Sequence, residues 1–238
     1  MNTVFRAISA TVIVSLFTLS APVKAETVST TADLLNNKKV FAYAFSRAMQ
    51  ETMYRLGVEQ DKKLGLQADC KSQYNIKPVG LVVLSPIDFP EDKQNPTKGV
   101  WKARYELNRC GDSKVYNALF VANSNGEAPN PRAYYPGSTN ASPVLVKDAM
   151  LSAISVTAVR SGLKDCKDIS VFDMRVTEPA HNVIEGEKTF KGVWKEIWTF
   201  RMCGHSVDVP VTFIPDANGG GTTFTFGPVK PGEGSSKP

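Results

Sequence analysis

Gly99-Val100-Trp101-Lys102, followed by Cys110-Gly111, returns at an offset of 93 as Gly192-Val193-Trp194-Lys195, followed by Cys203-Gly204. The Trp-to-Cys spacing is nine in both places. Upstream, Asp69-Cys70-Lys71 answers to Asp165-Cys166-Lys167 at an offset of 96. A four-residue identity with a registered Cys-Gly predicts an internal duplication, and this decides the fold class.

The residues around these stretches have the period of a strand. After Trp101, Ala103, Tyr105 and Leu107 alternate with Lys102, Arg104, Glu106 and Asn108. In the later stretch Trp194, Trp198, Phe200 and Met202 share one phase, with Lys195, Thr199 and Arg201 opposite. A period of two predicts strands with one buried and one wet face. Each strand ends in a short polar turn, Cys110-Gly111-Asp112-Ser113 or Cys203-Gly204-His205-Ser206, where glycine supplies the positive φ that a tight hairpin requires. Return strands follow through Tyr116, Ala118 and Phe120, and through Val209, Val211 and Phe213. The apolar stretches Pro78 to Leu84 and Ile169 to Val176 predict a first strand before each hairpin. A short strand is expected at Thr222 to Phe226.

Helices are expected upstream of these strands. Val40, Phe41, Ala44, Phe45, Ala48, Met49, Met53 and Leu56 recur at steps of three and four, with Gly57 placed to stop the helix. Val146, Ala149, Met150, Ala153, Ile154 and Ala158 do the same before Gly162. The fold class is therefore α+β: two tandem duplicated units, each a helix packed on an antiparallel sheet of three to four strands. The boundaries are a signal peptide at 1–25, a first repeat at 26–122, a linker at 123–143, a second repeat at 144–226 and a disordered tail at 227–238. The linker is rich in Asn, Pro, Gly and Ser.

The N-terminus has the three regions of an export signal: Arg6, the apolar run Ala10 to Leu19, and Val23-Lys24-Ala25 as a cleavage site. Cleavage after Ala25 would leave 213 of the 238 residues, and loss of Arg6 and Lys24 would lower the net charge from +5 to +3. So small a charge, with no run of five like charges, argues against nucleic acid as partner. No second apolar stretch is long enough to span a membrane after signal cleavage. The expected location is the periplasm or the medium.

An exported chain with four cysteines is expected to pair them, because its compartment oxidises thiols. Structural zinc would want closely spaced cysteine pairs, whereas 39, 55 and 36 residues intervene here. Of the three connectivities, duplication selects one bridge per unit: Cys70 to Cys110 and Cys166 to Cys203. A bridge closing a loop of about 40 residues contributes roughly 4 kcal/mol by restricting the unfolded chain.

Polar residues that could do chemistry are few. The histidines are His181 and His205, and no G-x-S-x-G or S-x-x-K pattern accompanies them. His205 stands in a turn, at the position of Asp112 in the other unit. Glu178, His181, Glu185 and Glu187 form a polar loop cluster with too few convergent oxygens for a hard cation. No phosphate-binding glycine loop is present. No catalytic residue, metal or cofactor is assigned. The aromatic phase of Trp101, Tyr105, Trp194, Trp198 and Phe200 is expected in the core. Glu196 falls in that phase, where the first unit has Ala103; buried, it would need a cationic or hydrogen-bonding partner, and otherwise it is expected at a sheet edge. The linker offers Arg132, Tyr134 and Tyr135, residue types that either anchor an interface or pack back on one of the units.

The element order resembles the cystatin-like folds and the tandem-unit beta-lactamase inhibitor proteins. The stretch from Cys203-Gly204 through Val209-Pro210-Val211, Phe213-Ile214-Pro215-Asp216 and Gly220-Gly221-Thr222-Thr223-Phe224 resembles the C-terminal ends of uncharacterised proteobacterial secreted proteins. That resemblance implies a lineage and no activity. The expected function is that of an exported, non-enzymatic protein binding a protein of the envelope or extracellular space. The alternatives are an inhibitor of a secreted enzyme and a hydrolase with an unrecognised site.

Overall fold

At Cys110-Gly111 φ is 43° and 83°, and at Cys203-Gly204 it is 48° and 83°. Two consecutive positive φ values give the turn whose twist matches that of paired strands, so each Cys-Gly fixes the register of a hairpin. Arg109 faces Asp112 across the first turn, and Met202 faces His205 across the second.

The computed structural model describes residues 25–66, 70, 74–217 and 220–232. The signal segment before Ala25 therefore lies outside the described residues. The chain runs β1 (Ala25–Val28), α1 (Thr31–Asn36), α2 (Lys38–Ala44), α3 (Arg47–Lys63), β2 (Asn75–Pro90), β3 (Lys98–Arg109), β4 (Asp112–Val121) and β5 (Asn130–Tyr134). It continues with α4 (Pro143–Arg160), β6 (Ile169–Glu185), β7 (Lys188–Met202), β8 (His205–Pro215), β9 (Thr222–Phe226) and β10 (Lys230–Pro231). The fold is mixed α+β, with two antiparallel sheets. The first has the order β1-β2-β3-β4-β5. In the second, β6, β7 and β8 follow one another, and β9 and β10 both pair with β8.

Two disulfides join Cys70 to Cys110 and Cys166 to Cys203, with Cα atoms 5.7 Å and 5.8 Å apart. The alternation seen in the sequence becomes two apolar clusters. In the first, Trp101, Tyr105, Tyr116 and Phe120 pack with Met49 and Met53 of α3. In the second, Trp198, Phe200, Val209 and Phe213 pack with Val146, Ala149 and Ala153 of α4. Trp101 stacks on Phe120 with planes 10° apart, and Trp194 on Phe213 with planes 13° apart. Such rings each contribute on the order of 2–3 kcal/mol by leaving water.

Five readings of the sequence change. The helix expected across Val40 to Leu56 is broken, because Ser46 caps a new helix with its Oγ accepting from Met49 N. Gly57 does not stop that helix. It lies inside α3, where a Cβ would come within 3.0 Å of the Tyr105 ring, and the helix runs on to Lys63. The first strands are twice as long as expected, 16 and 17 residues, so Glu178 and His181 lie in β6 rather than in a loop, and Glu185 is its last residue. The stretch 123–143 contains β5, which pairs with β4 from Asn117 to Val121. Within the stretch expected to be a tail, Lys230–Pro231 pairs with β8, and Gly232 N donates to Ser206 O at 2.8 Å. Residues 233–238 lie outside the described residues.

Candidate functional site

The chain leaving β5 does not cross solvent. Its backbone is held on two sides at once. Gly137 N donates to Val115 O of β4 at 2.8 Å, and Asn117 Nδ2 donates to the carbonyls of Tyr135 and Gly137 at 2.8 and 2.9 Å. On the other side Met174 N of β6 donates to Pro136 O at 3.1 Å, and Ser138 N donates to Met174 O at 2.6 Å. Pro136 to Ser138 thus joins the edge of one sheet to the edge of the other. Gly137 is required there: φ is +87°, and a Cβ would lie 2.1 Å from Met174 O.

Side chains reinforce this junction. Phe172 of β6 packs against the first apolar cluster. Its ring lies 4.1 Å from Lys114 Nζ and 4.3 Å from the Arg201 guanidinium carbon. Lys114 Nζ is 3.3 Å from Asp173 Oδ1, and burial lowers its pKa against the pull of that carboxylate. Arg201 Nη1 donates to Leu64 O at the end of α3.

Two carboxylates are sealed from solvent. Asp61 of α3 accepts from the Tyr116 hydroxyl, and its other oxygen is 3.0 Å from Arg109 Nε. Burial raises the Asp61 pKa, while Tyr116 and Arg109 oppose the rise. The Tyr116 hydroxyl is pushed well above its ordinary range, first by burial and then by Asp61. Glu196 is fully buried, in the central strand β7. The strand phase of Glu196 is therefore the buried one, and the expectation of a sheet edge is wrong. The carboxylate accepts from Trp194 Nε1 at 2.8 Å, Trp198 Nε1 at 2.7 Å, Thr139 Oγ1 at 2.9 Å and Asn140 N at 2.8 Å. Oε1 takes three of these donors and Oε2 the fourth, so Glu196 ties the end of the linker into the second cluster. The two indole N–H groups two residues to either side were the signal in the sequence. With no exposure, neither carboxylate can reach a substrate.

The interface residues read from the sequence sit at the junction. Arg132 is exposed in β5. Tyr134 and Tyr135 are half-buried, with ring centroids 5.0 Å apart, and burial pushes the Tyr134 pKa up to about 12. Both rings line a cleft of about 410 Å³ with Gln60, Lys63, Leu64 and Ser170. Gln60 Nε2 is buried and finds no hydrogen-bond partner among the described residues. Tyr135 also lines a second cleft, about 480 Å³, with Lys147, Asp148 and Leu151 of α4. Leu151 is 78% exposed, and Val144 and Val159 on the same helix are 69% and 68% exposed.

The polar residues expected in a loop are brought only partly together. Glu178 Oε1 is 3.0 Å from Lys195 Nζ, and its other oxygen is 3.9 Å from His181 Nε2. His181 Nδ1 lies 2.9 Å from Pro179 O. Glu185 is exposed opposite Lys188. His205 begins β8, opposite Met202. Among the described residues no three His, Cys, Asp or Glu side chains converge as metal ligands. Also among them, no helix is long and apolar enough to cross a membrane. Comparison with protein-family models, with curated proteins and with solved structures gives no match.

Proposed function

We propose that this chain is an exported protein of the periplasm or medium, made of two copies of one disulfide-stapled helix-on-sheet unit, that binds another protein. Duplication is supported by the offset of 93 that relates Trp101 to Trp194 and Phe120 to Phe213, which stack alike. Export is supported by the N-terminal sequence and by two bridges in a chain of this size.

The observation that carries the binding reading is Tyr135, which lines both clefts. It makes one surface from Lys63 and Tyr134 at the junction to the exposed Leu151 on α4. Half-buried tyrosines beside exposed aliphatic side chains, rimmed by lysines, have the make-up of a protein-binding patch. The test is capture by mature Glu26 to Pro238 with both bridges intact, in envelope extract and culture supernatant. One stoichiometric partner is expected, lost in Leu151→Glu, which changes an exposed residue and leaves the circular dichroism spectrum unaltered. Capture of nothing over several salt concentrations, or equal capture by the variant, would end this reading.

A further inference from the structure

Strand register places two rungs of side chains on the face of the first sheet opposite Trp101 and Tyr105. One rung is Val82, Lys102, Leu119 and Arg132; the other is Gly80, Arg104, Asn117 and Tyr134. Three cations therefore share a small area. Lys102 is only 7% exposed, with its Nζ 5.7 Å from the centre of the Tyr134 ring. The Arg104 Nε is buried and has no hydrogen-bond partner among the described residues. Among the described residues no carboxylate lies within ion-pair distance of Lys102, Arg104 or Arg132. Glu106 occupies the next rung, opposite Lys77. Gly80 leaves the end of the Arg104 rung without a side chain.

The other sheet shows what is missing. Lys195 occupies the place of Lys102 in the repeated Gly-Val-Trp-Lys, and there the residue opposite is Glu178, whose Oε1 is 3.0 Å from the ammonium. The residue opposite Lys102 is Val82. Burial and the neighbouring Arg104 both lower the Lys102 pKa, and only the pull of Glu196, whose oxygens are already engaged, acts against them. Burial lowers that of Arg104 as well. A buried cation without an ion-pair partner is costly, and a charged acceptor brought from outside would offset that cost.

We infer that Lys102, Arg104 and Arg132 form a site for an oxyanion, supplied as a carboxylate side chain of the protein partner. The planar fork of Arg104 matches a carboxylate, and Lys102 adds a point charge beside it. Val82 and Val121 on the flanks are 41% and 37% exposed, so the site joins apolar surface to charge as a peptide would require and a free inorganic ion would not. Arg132 and Tyr134 connect it to the Tyr135 surface. The source of the oxyanion rests on the protein-binding reading; the site itself does not.

The experiment is calorimetric titration of the mature, bridged protein at fixed ionic strength with hexaglutamate peptide and, separately, with inorganic phosphate. Saturable binding of the peptide is expected, weakened about tenfold or more in Lys102→Gln and in Arg104→Gln and unchanged in Lys195→Gln. Arg104→Lys keeps the charge and loses the fork, and covers the case in which one of the Gln variants fails to fold. Absence of saturable peptide binding, or equal weakening by Lys195→Gln, overturns the site. Phosphate binding as tightly as the peptide overturns the assignment to a carboxylate. Leu151→Glu, which tests the partner surface, is expected to leave peptide affinity unchanged, so the two readings fail separately.

Discussion

The two sheets keep the same framework and hold their charges differently. Among the described residues, the fully buried carboxylate of the first comes from a helix: Asp61 of α3, where the offset of 96 puts Thr157 in α4. In the second it comes from a strand: Glu196 of β7, where the first sheet has Ala103. The hairpins also part company. Ile87 and Phe89, near the tip of β2, are each 2% exposed, because β1 pairs there and Val28 and Leu34 join the same cluster. Nothing among the described residues covers the tip of the β6–β7 hairpin, where Ile184 is 73% exposed. The shared Gly-Val-Trp-Lys and Cys-Gly stretches go with the same strand phase, turn and bridge in both sheets. They leave open where polar groups are buried and which edges are covered, and the two regions have answered those questions separately.

The largest effect that could break this comparison comes from the bridges. They close stretches with sequence separations of 40 and 37, so loss of unfolded-chain restriction is expected to be nearly equal, about 4 kcal/mol for either. Replacing Cys70 and Cys110 together by Ser, or Cys166 and Cys203 together, and measuring urea denaturation compares them directly. Losses differing by more than about 1 kcal/mol would mean that the two bridges do not play equivalent parts.

Glu196 comes next. Glu196→Ala leaves two indole N–H groups, the Thr139 hydroxyl and the Asn140 amide without their acceptor, at about 1–3 kcal/mol for each donor that water cannot reach. A loss on the order of 3 kcal/mol or more is expected in the urea midpoint, and Glu196→Gln should recover part of it. Ala103→Glu, the reciprocal change in the first sheet, lacks those donors and is expected to be at least as damaging.

Asp61 sharpens the comparison through pH. Its pKa is raised above the ordinary 3.8, so the folded chain holds the proton more tightly than the unfolded chain does. Its contribution to stability is present below pH 3.8 and is lost as pH rises above that value. Tyr116→Phe removes one of the influences that keep the pKa down, so the decline should extend to higher pH, with a loss of about 1–2 kcal/mol at neutral pH. Asp61→Asn should flatten the same limb. Urea midpoints between pH 3 and 8 distinguish the three curves.

What the sequence made legible was whatever repeats. The Gly-Val-Trp-Lys and Cys-Gly identities carried the strand phase, both turns and both bridges, because period and turn chemistry are local. The break at Ser46 was also local, but the apolar steps from Val40 to Leu56 ran across it and masked the cap. Gly57 has its reason in the Tyr105 ring, distant in sequence, so the local pattern alone makes it a stop. The length of β6 was hidden by Pro179, which sits where the hairpin has free edges and no backbone donor is needed. Residue type singles out Tyr134 and Tyr135 as interface candidates and does not single out Lys102 and Arg104. Alternation assigns them to a wet face, and only register shows that Val82 stands where a carboxylate would be expected.

That difference yields the smallest effect and the sharpest one, because its sign reverses between the two sheets. Lys195 is about half exposed and paired with Glu178, so Lys195→Met should cost no more than about 1 kcal/mol, as exposed pairs do. Lys102 is buried with no carboxylate within ion-pair distance among the described residues, so Lys102→Met should stabilise the free protein by about 1 kcal/mol. Because the Lys102 pKa is lowered, the folded state releases that proton before the unfolded state does. The penalty should therefore fade as pH rises from the lowered value towards 10.5, and the advantage of Lys102→Met should fade with it. If both substitutions destabilise alike and show no dependence on pH between 7 and 10, the two lysines are equivalent, and the first sheet has no uncompensated charge for a partner to meet.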